Sequence, residues 1–145
     1  MKDLAGALLL AVGVLVPGAL APGANKGDGR AKKVDTRVFE LRTYTAAPGK
    51  MQALHARFRE HTNKLFKKHG MTVIGYWSPA DPKKARNTLV YLLAFPSKEA
   101  AARSWQAFRE DPAWKKAKEE SEKDGRLVDM VESVFLNPTD YSPMK

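Results

Sequence analysis

Four segments of the chain are rich in apolar, β-branched and aromatic residues, a composition that predicts β-strands. These segments are residues 37–45, 71–77, 88–95 and 126–136. Apolar residues recur at helical spacing after the first strand and again after the third, where Asp111 and Pro112 divide the helix in two. The predicted order is therefore β-α-β-β-α-β. This is the ferredoxin-like α+β plan, a four-stranded antiparallel sheet with its helices on one face.

The third and fourth predicted strands are apolar on both faces. Strand three is an uninterrupted apolar run over residues 89–95. Strand four places apolar side chains on both of its faces, Val128, Met130 and Val134 on one and Leu127, Val131 and Phe135 on the other. Because the helices cover only one face of the sheet, something else must bury the second. The simplest candidate is another copy of the same sheet, so we expect a two-fold homodimer.

The first 35 residues differ from the rest of the chain. Residues 4–16 form an uncharged apolar run, which suits the core of a signal peptide and is too short to cross a bilayer comfortably. We expect a signal peptide over residues 1–23, a disordered linker over 24–35 and one folded domain over 36–145. The protein would then be exported to the periplasm or the medium, with no stable membrane span after cleavage. The alternative is an uncleaved leader that anchors the chain in the membrane.

Composition and charge exclude several kinds of site. The chain has no cysteine, which rules out disulfides, thiolate catalysis and thiolate metal ligands. Its net charge of +9 is spread over several separate clusters, which favours a solvated basic surface over a polyanion site. The sequence contains no phosphate-binding glycine loop, serine nucleophile elbow or aromatic-and-basic RNA-binding motif. We therefore expect no nucleic-acid partner.

Several short motifs along the chain resemble those of the NIPSNAP domain family, over residues 36–145. In order, they are Val38-Phe39-Glu40-Leu41-Arg42-Thr43-Tyr44, Pro48-Gly49-Lys50, Gly75-Tyr76-Trp77, Asn87, Asp111-Pro112-x-Trp114, Phe135-Leu136-x-Pro138 and Tyr141-Ser142-Pro143. The resemblance implies a dimeric α+β barrel built from two ferredoxin-like sheets face to face, without implying a settled activity. Other branches of this barrel superfamily include cofactor-independent monooxygenases and haem-degrading enzymes. Tyr91 and Leu93 stand where the family often has His and Trp, which weakens the transfer of a catalytic role.

Polar side chains in the predicted strands are the candidates for a ligand site. Glu40, Arg42 and Tyr44 alternate along strand one and share a face. If Phe39 and Leu41 pack against the helices, the polar trio faces the interior between the two sheets.

Arg42 has two candidate partners, Glu40 and the Glu132 of strand four. One interpretation is a ligand pocket, in which Arg42 holds an anionic or carbonyl group and Tyr44, Trp77 and Tyr91 surround it. The other is a buried ion pair that fixes the dimer register and binds nothing.

Histidine chemistry has one candidate. His61 falls on the predicted apolar stripe of the first helix, where it could be a packing residue, an acid/base group or an axial haem ligand. No histidine and carboxylate occur at metal-ligand spacing. We expect no metal, no haem and no other cofactor.

Two functions remain open at this point. The first is a dimeric barrel that binds a small, largely apolar molecule and could transform it by proton transfer or oxygen chemistry. The second is a non-catalytic dimeric interaction protein whose basic surface meets an anionic partner.

Overall fold

The computed structural model describes residues 37–145, so the expected signal peptide and linker lie outside the described residues. Four strands and five helices follow one another, with a π-helical turn between the first two helices. Their bounds are β1 Val38–Ala46, α1 Met51–Arg57, the π turn Phe58–Thr62, α2 Asn63–Lys68, β2 Thr72–Trp77, α3 Pro82–Ala85, β3 Thr88–Phe95, α4 Lys98–Glu110, α5 Pro112–Ser121 and β4 Val128–Leu136. No helix in this part of the chain has the length and apolar character needed to cross a membrane.

The sheet has the strand order β2-β3-β1-β4, and all three neighbouring pairs are antiparallel. This confirms the predicted ferredoxin-like plan. The short helix α3 lies in the segment between β2 and β3 that the sequence indicated only as a polar turn.

Local sequence signals define the ends of the helices. Ser97 caps α4 by accepting a hydrogen bond from the Ala100 amide, and Asp111 caps α5 in the same way through Ala113. Gly70 follows α2 with φ of 71°, a left-handed conformation that a glycine adopts without steric cost. These signals are local, which is why the sequence alone was enough to place these boundaries.

The main hydrophobic core fills the space between the sheet and the helices. Its centre is a group of aromatic rings in edge-on or tilted contact, with Tyr91 of β3 packed against Phe58 and Phe66. Phe66 in turn contacts Phe108 of α4. The helices that follow β1 and the helix α4 that follows β3 are therefore joined to the sheet through one aromatic cluster.

The opposite face of the sheet, which we call the open face, carries no helix. Residues paired across antiparallel strands point to the same side, so Leu41, its partner Leu92 on β3 and its partner Val134 on β4 all lie on this face. Val134 is 53% exposed. Near one end the C-terminal tail lies over this face, where Pro138 borders a cavity shared with Leu92. The open face is the surface for which the sequence predicts a second copy of the chain, and that pairing stays a prediction.

Candidate functional site

The polar side chains of β1 point toward the helices. The Trp105 indole of α4 donates to Glu40, and the ring of Tyr44 lies 5.9 Å from that of Phe58 in the π turn. The expectation that Glu40, Arg42 and Tyr44 face the interior between two sheets is therefore wrong. The physical reason is that the helix layer supplies the donor that a buried carboxylate needs, whereas the open face is apolar.

Glu40 is the anchor of this polar cluster. It is 2% exposed and accepts three hydrogen bonds of 2.6 Å, from Arg42 Nη1, Trp105 Nε1 and Ser133 Oγ. These donors come from β1, α4 and β4. The carboxylate therefore connects two neighbouring strands to the helix above them, and its buried charge is matched by a cation and two dipoles.

Arg42 is held in a fixed position by its neighbours. Its Cζ lies 4.3 Å from the centre of the Trp105 ring and 5.6 Å from that of Tyr44, in cation–π contact with both. Burial by itself lowers the pKa of Arg42, but the ionisable Tyr91 and Tyr44 phenols and the Glu40 carboxylate outweigh it and raise the pKa above its usual value. The guanidinium is therefore a permanent positive charge.

Two buried polar atoms of this cluster, Arg42 Nε and the Tyr91 hydroxyl, make no hydrogen bond of regular geometry in the described part of the chain. The Tyr91 phenol nevertheless lies close enough to Tyr44 and Arg42 to interact with both. Arg42 and Tyr91 are direct partners across β1 and β3. Burial and the neighbouring Tyr44 raise the pKa of Tyr91 well above its usual value, against the opposing effect of the Arg42 charge. Tyr91 is therefore a neutral phenol that can still donate a proton to a hydrogen bond.

The cluster borders an uncovered strip of β4. Val131 and Phe135 lie on the helix side of this strand, opposite Tyr44 and Glu40, and are 43% and 39% exposed. Ser133 lies between them. The Arg42 side chain itself is 16% exposed. A partly accessible cation thus lies beside exposed apolar side chains, an arrangement typical of sites for small amphipathic molecules.

Two predicted ligand contacts do not join this cluster. Glu132 pairs with Thr43 and so points to the open face, which makes its expected pairing with Arg42 wrong and leaves Glu40 as the partner. Trp77 lies at the end of β2, is half exposed, and lines a separate cavity. The ligand-binding roles of Glu132 and Trp77 therefore require sites other than the one around Arg42.

His61 also lies outside the cluster. It belongs to the π turn and is exposed, with its Nε2 3.9 Å from Glu60. The packing position expected for it is occupied by the buried Thr62, whose hydroxyl donates to the Arg57 carbonyl. The extra residue of the π turn shifts the buried face by one position, which a regular helical spacing cannot anticipate. Among the described residues, no group of three or more histidine and acidic side chains is placed to hold a metal ion.

Sequence reasoning missed two members of the cluster. The first is Trp105, which helical periodicity predicts only as a core residue. Its indole N–H is the signal that sets it apart, because a buried N–H needs an acceptor. The second is Ser133, the polar residue between Val131 and Phe135 on one face of β4. This break in the apolar pattern is the signal that could have found it.

Fold and site together define a ferredoxin-like α+β domain with a buried arginine–glutamate cluster under its helices. The sequence matches the NIPSNAP family over residues 39–143, so the chain belongs to the NIPSNAP family. No curated protein shows significant similarity to it.

Solved structures of NIPSNAP proteins share the fold. One is a NIPSNAP family protein of unknown function from Agrobacterium tumefaciens, 22% identical with a TM-score of 0.66, where the match covers 77% of this chain and 96% of that one. A second NIPSNAP family protein from the same organism is 23% identical with a TM-score of 0.65, covering 75% and 99%. A NIPSNAP-like domain protein from Burkholderia xenovorans is 19% identical with a TM-score of 0.64, covering 75% and 90%.

Proposed function

We propose that this chain is a homodimeric binding protein for a small, largely apolar molecule that carries a carboxylate or carbonyl group. Arg42 would hold the polar group, and the strip formed by Val131 and Phe135 would contact the apolar part. The observation that carries this proposal is that the Arg42 guanidinium is fixed by Glu40 and Trp105 and is still 16% exposed beside Val131 and Phe135. A pre-oriented cation that a ligand can reach binds it at low entropic cost.

The dimer is the second part of the proposal. The open face presents Leu41, Leu92, Met130 and Val134 around the polar pair Thr43 and Glu132, and a surface with this many apolar side chains is rarely left in water. Two copies of this face packed together would form the barrel that the sequence indicates. The ligand site of each protomer would then lie outside the barrel, between the sheet and the helices.

Chemistry on the bound molecule is a further step. Oxygen chemistry, which occurs in other branches of the barrel superfamily, would appear as consumption of dissolved oxygen when a substrate is added. Export would be tested separately, by the mass of the protein recovered from outside the cytoplasm.

The binding site can be tested with sodium octanoate, and with octanol as the neutral comparison. The readout is the Trp105 indole N–H signal in a ¹H–¹⁵N NMR spectrum of the purified full chain. Val131→Glu adds a negative charge on an exposed position of the strip, so it should weaken octanoate binding about tenfold and octanol binding much less. Ala102→Glu, an exposed position of α4, is the matched control. If Val131→Glu leaves the octanoate Kd unchanged, Arg42 is not part of the ligand site.

The dimer is tested by sedimentation velocity. Val134→Asp places a charge among the apolar side chains of the open face and should convert a dimer to a folded monomer, whereas Ala102→Asp should leave the dimer intact. A wild-type chain that sediments as a monomer at micromolar concentration would contradict the dimer. It would not bear on the Arg42 site, which the octanoate titration tests separately.

A further inference from the structure

A second cavity lies between the first helical segment and the end of β2. Its volume is about 250 Å³, and six of the side chains that line it are His55, Phe58, Arg59, Asn63, Tyr76 and Trp77. This cavity is separate from the Arg42 cluster. Its polar residues come from α1, the π turn and α2, whereas the Arg42 cluster is contacted by Trp105 of α4. The sequence indicated only Trp77 among these residues as a ligand contact.

The π turn brings three polar side chains to this cavity. His55, Arg59 and Asn63 follow one another at intervals of four positions. On a regular α-helix, with about 3.6 residues per turn, side chains at this interval rotate gradually around the helix axis. Here the Asn63 amide bonds to the Phe58 carbonyl five residues back, so the helix makes one wider turn. The wider turn brings Asn63 back toward the line of His55, and all three side chains line the same cavity. Single π turns of this kind are frequent at functional sites.

The aromatic walls come from the other side. Tyr76 pairs with Tyr91 and points to the helix side of the sheet, where its ring centre lies 5.6 Å from that of Phe58. The next residue, Trp77, points to the open face, where its ring folds back over Gly75, so it borders the cavity only at the end of β2. The cavity therefore offers the Phe58 and Tyr76 rings as aromatic surface for a flat ring.

The polar groups of the cavity favour an anion. Burial and the nearby Arg59 charge lower the pKa of His55, which is therefore neutral at physiological pH and free to donate or accept one hydrogen bond. The Tyr76 hydroxyl donates to Asn63 Oδ1 at 2.5 Å, which leaves the Asn63 amide nitrogen as a donor. Among the described residues that line the cavity none is acidic.

We propose that this cavity binds a small, single-ring aromatic carboxylate. The ring would lie against Phe58 and Tyr76, and the carboxylate would accept hydrogen bonds from Arg59 and Asn63. The volume fits one ring with its acid group and is below the range of drug-sized ligand sites.

Sodium benzoate is the probe, titrated into the ¹⁵N-labelled full chain to about 20 mM, with benzyl alcohol and sodium acetate as comparisons that keep only the ring or only the charge. The Asn63 amide signals should shift with benzoate, with a Kd of about 1 mM, the affinity expected for a ligand of this size. Benzyl alcohol should bind several-fold more weakly, and acetate should leave the Asn63 signals in place.

One variant locates the binding and two serve as controls. Arg59→Gln should raise the benzoate Kd about five- to tenfold and change benzyl alcohol binding little, because it removes a charge and leaves the aromatic walls intact. Arg109→Gln, which makes the same charge change on an exposed position of α4, should have no effect. Gly75→Ala moves the Trp77 ring on the open face and should leave the binding of both aromatic probes unchanged. Asn63 signals that do not respond to benzoate, or a benzoate Kd that is unchanged by Arg59→Gln, would overturn the proposal.

Discussion

Removing the Glu40 carboxylate should be among the most destabilising single substitutions in this fold. Glu40→Ala leaves the partly buried Arg42 charge without its acid partner and leaves the Trp105 and Ser133 donors without an acceptor. Breaking a buried ion pair from one side costs about 3–5 kcal/mol, so we expect Glu40→Ala to lower the free energy of unfolding by about 3–5 kcal/mol. Arg42→Met should cost about as much, because it leaves the Glu40 carboxylate, which is 2% exposed against 16% for Arg42, without its cation.

The double variant measures the interaction between the Glu40 and Arg42 charges apart from their other contacts. If the two charges depend on each other, Glu40→Ala combined with Arg42→Met should cost less than the sum of the single variants, by about 1.5–3 kcal/mol. The assay is urea unfolding followed by tryptophan fluorescence, with Glu119→Ala, an exposed acid on α5, expected to change stability by less than about 0.5 kcal/mol. Additive effects within about 0.5 kcal/mol, or a Glu40→Ala cost below about 1 kcal/mol, would refute the idea that this cluster is a coupled unit.

Two further predictions concern the C-terminal end of α2 and the contacts made there. Hydrogen bonds from Lys68, His69 and the Ala113 amide lower the pKa of Asp111, so this carboxyl stabilises the fold above its ordinary pKa of about 4 and loses that contribution as the pH falls. Asp111→Asn should therefore lower the melting temperature at pH 7, and the difference from the wild type should begin to narrow below about pH 4 and continue to narrow as the pH falls further, whereas a difference that stays constant in acid would contradict the reasoning. Gly70→Ala should cost about 1 kcal/mol because φ there is 71°, and Gly70→Asn should recover part of it; equal unfolding midpoints for Ala and Gly would count against this.

The fold was predictable because its signals are local and agree with one another. Strand composition, the cap residues Ser97 and Asp111, and the glycine after α2 each mark one boundary, and together they specify one order of elements. The family motifs lie on the same elements. Nothing about the fold required knowledge of contacts between distant residues.

The candidate site was predictable in its members and not in its orientation. Alternation along β1 placed Glu40, Arg42 and Tyr44 on one face, and the structure keeps them together. Alternation cannot say which face meets the helices when both faces carry apolar residues. That choice depends on donors from Trp105 and Ser133, which are 65 and 93 positions from Glu40 in the chain. The π turn, which moves His61 to the surface, is likewise invisible in a regular helical spacing.

The strand order has a consequence for how the chain acquires its fold. β1 occupies an inner position in the sheet, and one of its two neighbours is the last strand to be made on the ribosome. Pairing between such distant segments forms late, since a long loop has to close before any contact compensates its entropy. Until β4 emerges, β1 has an unfilled edge that could pair with another nascent chain. Production of this protein should therefore depend on chaperones that cover the first strand during translation.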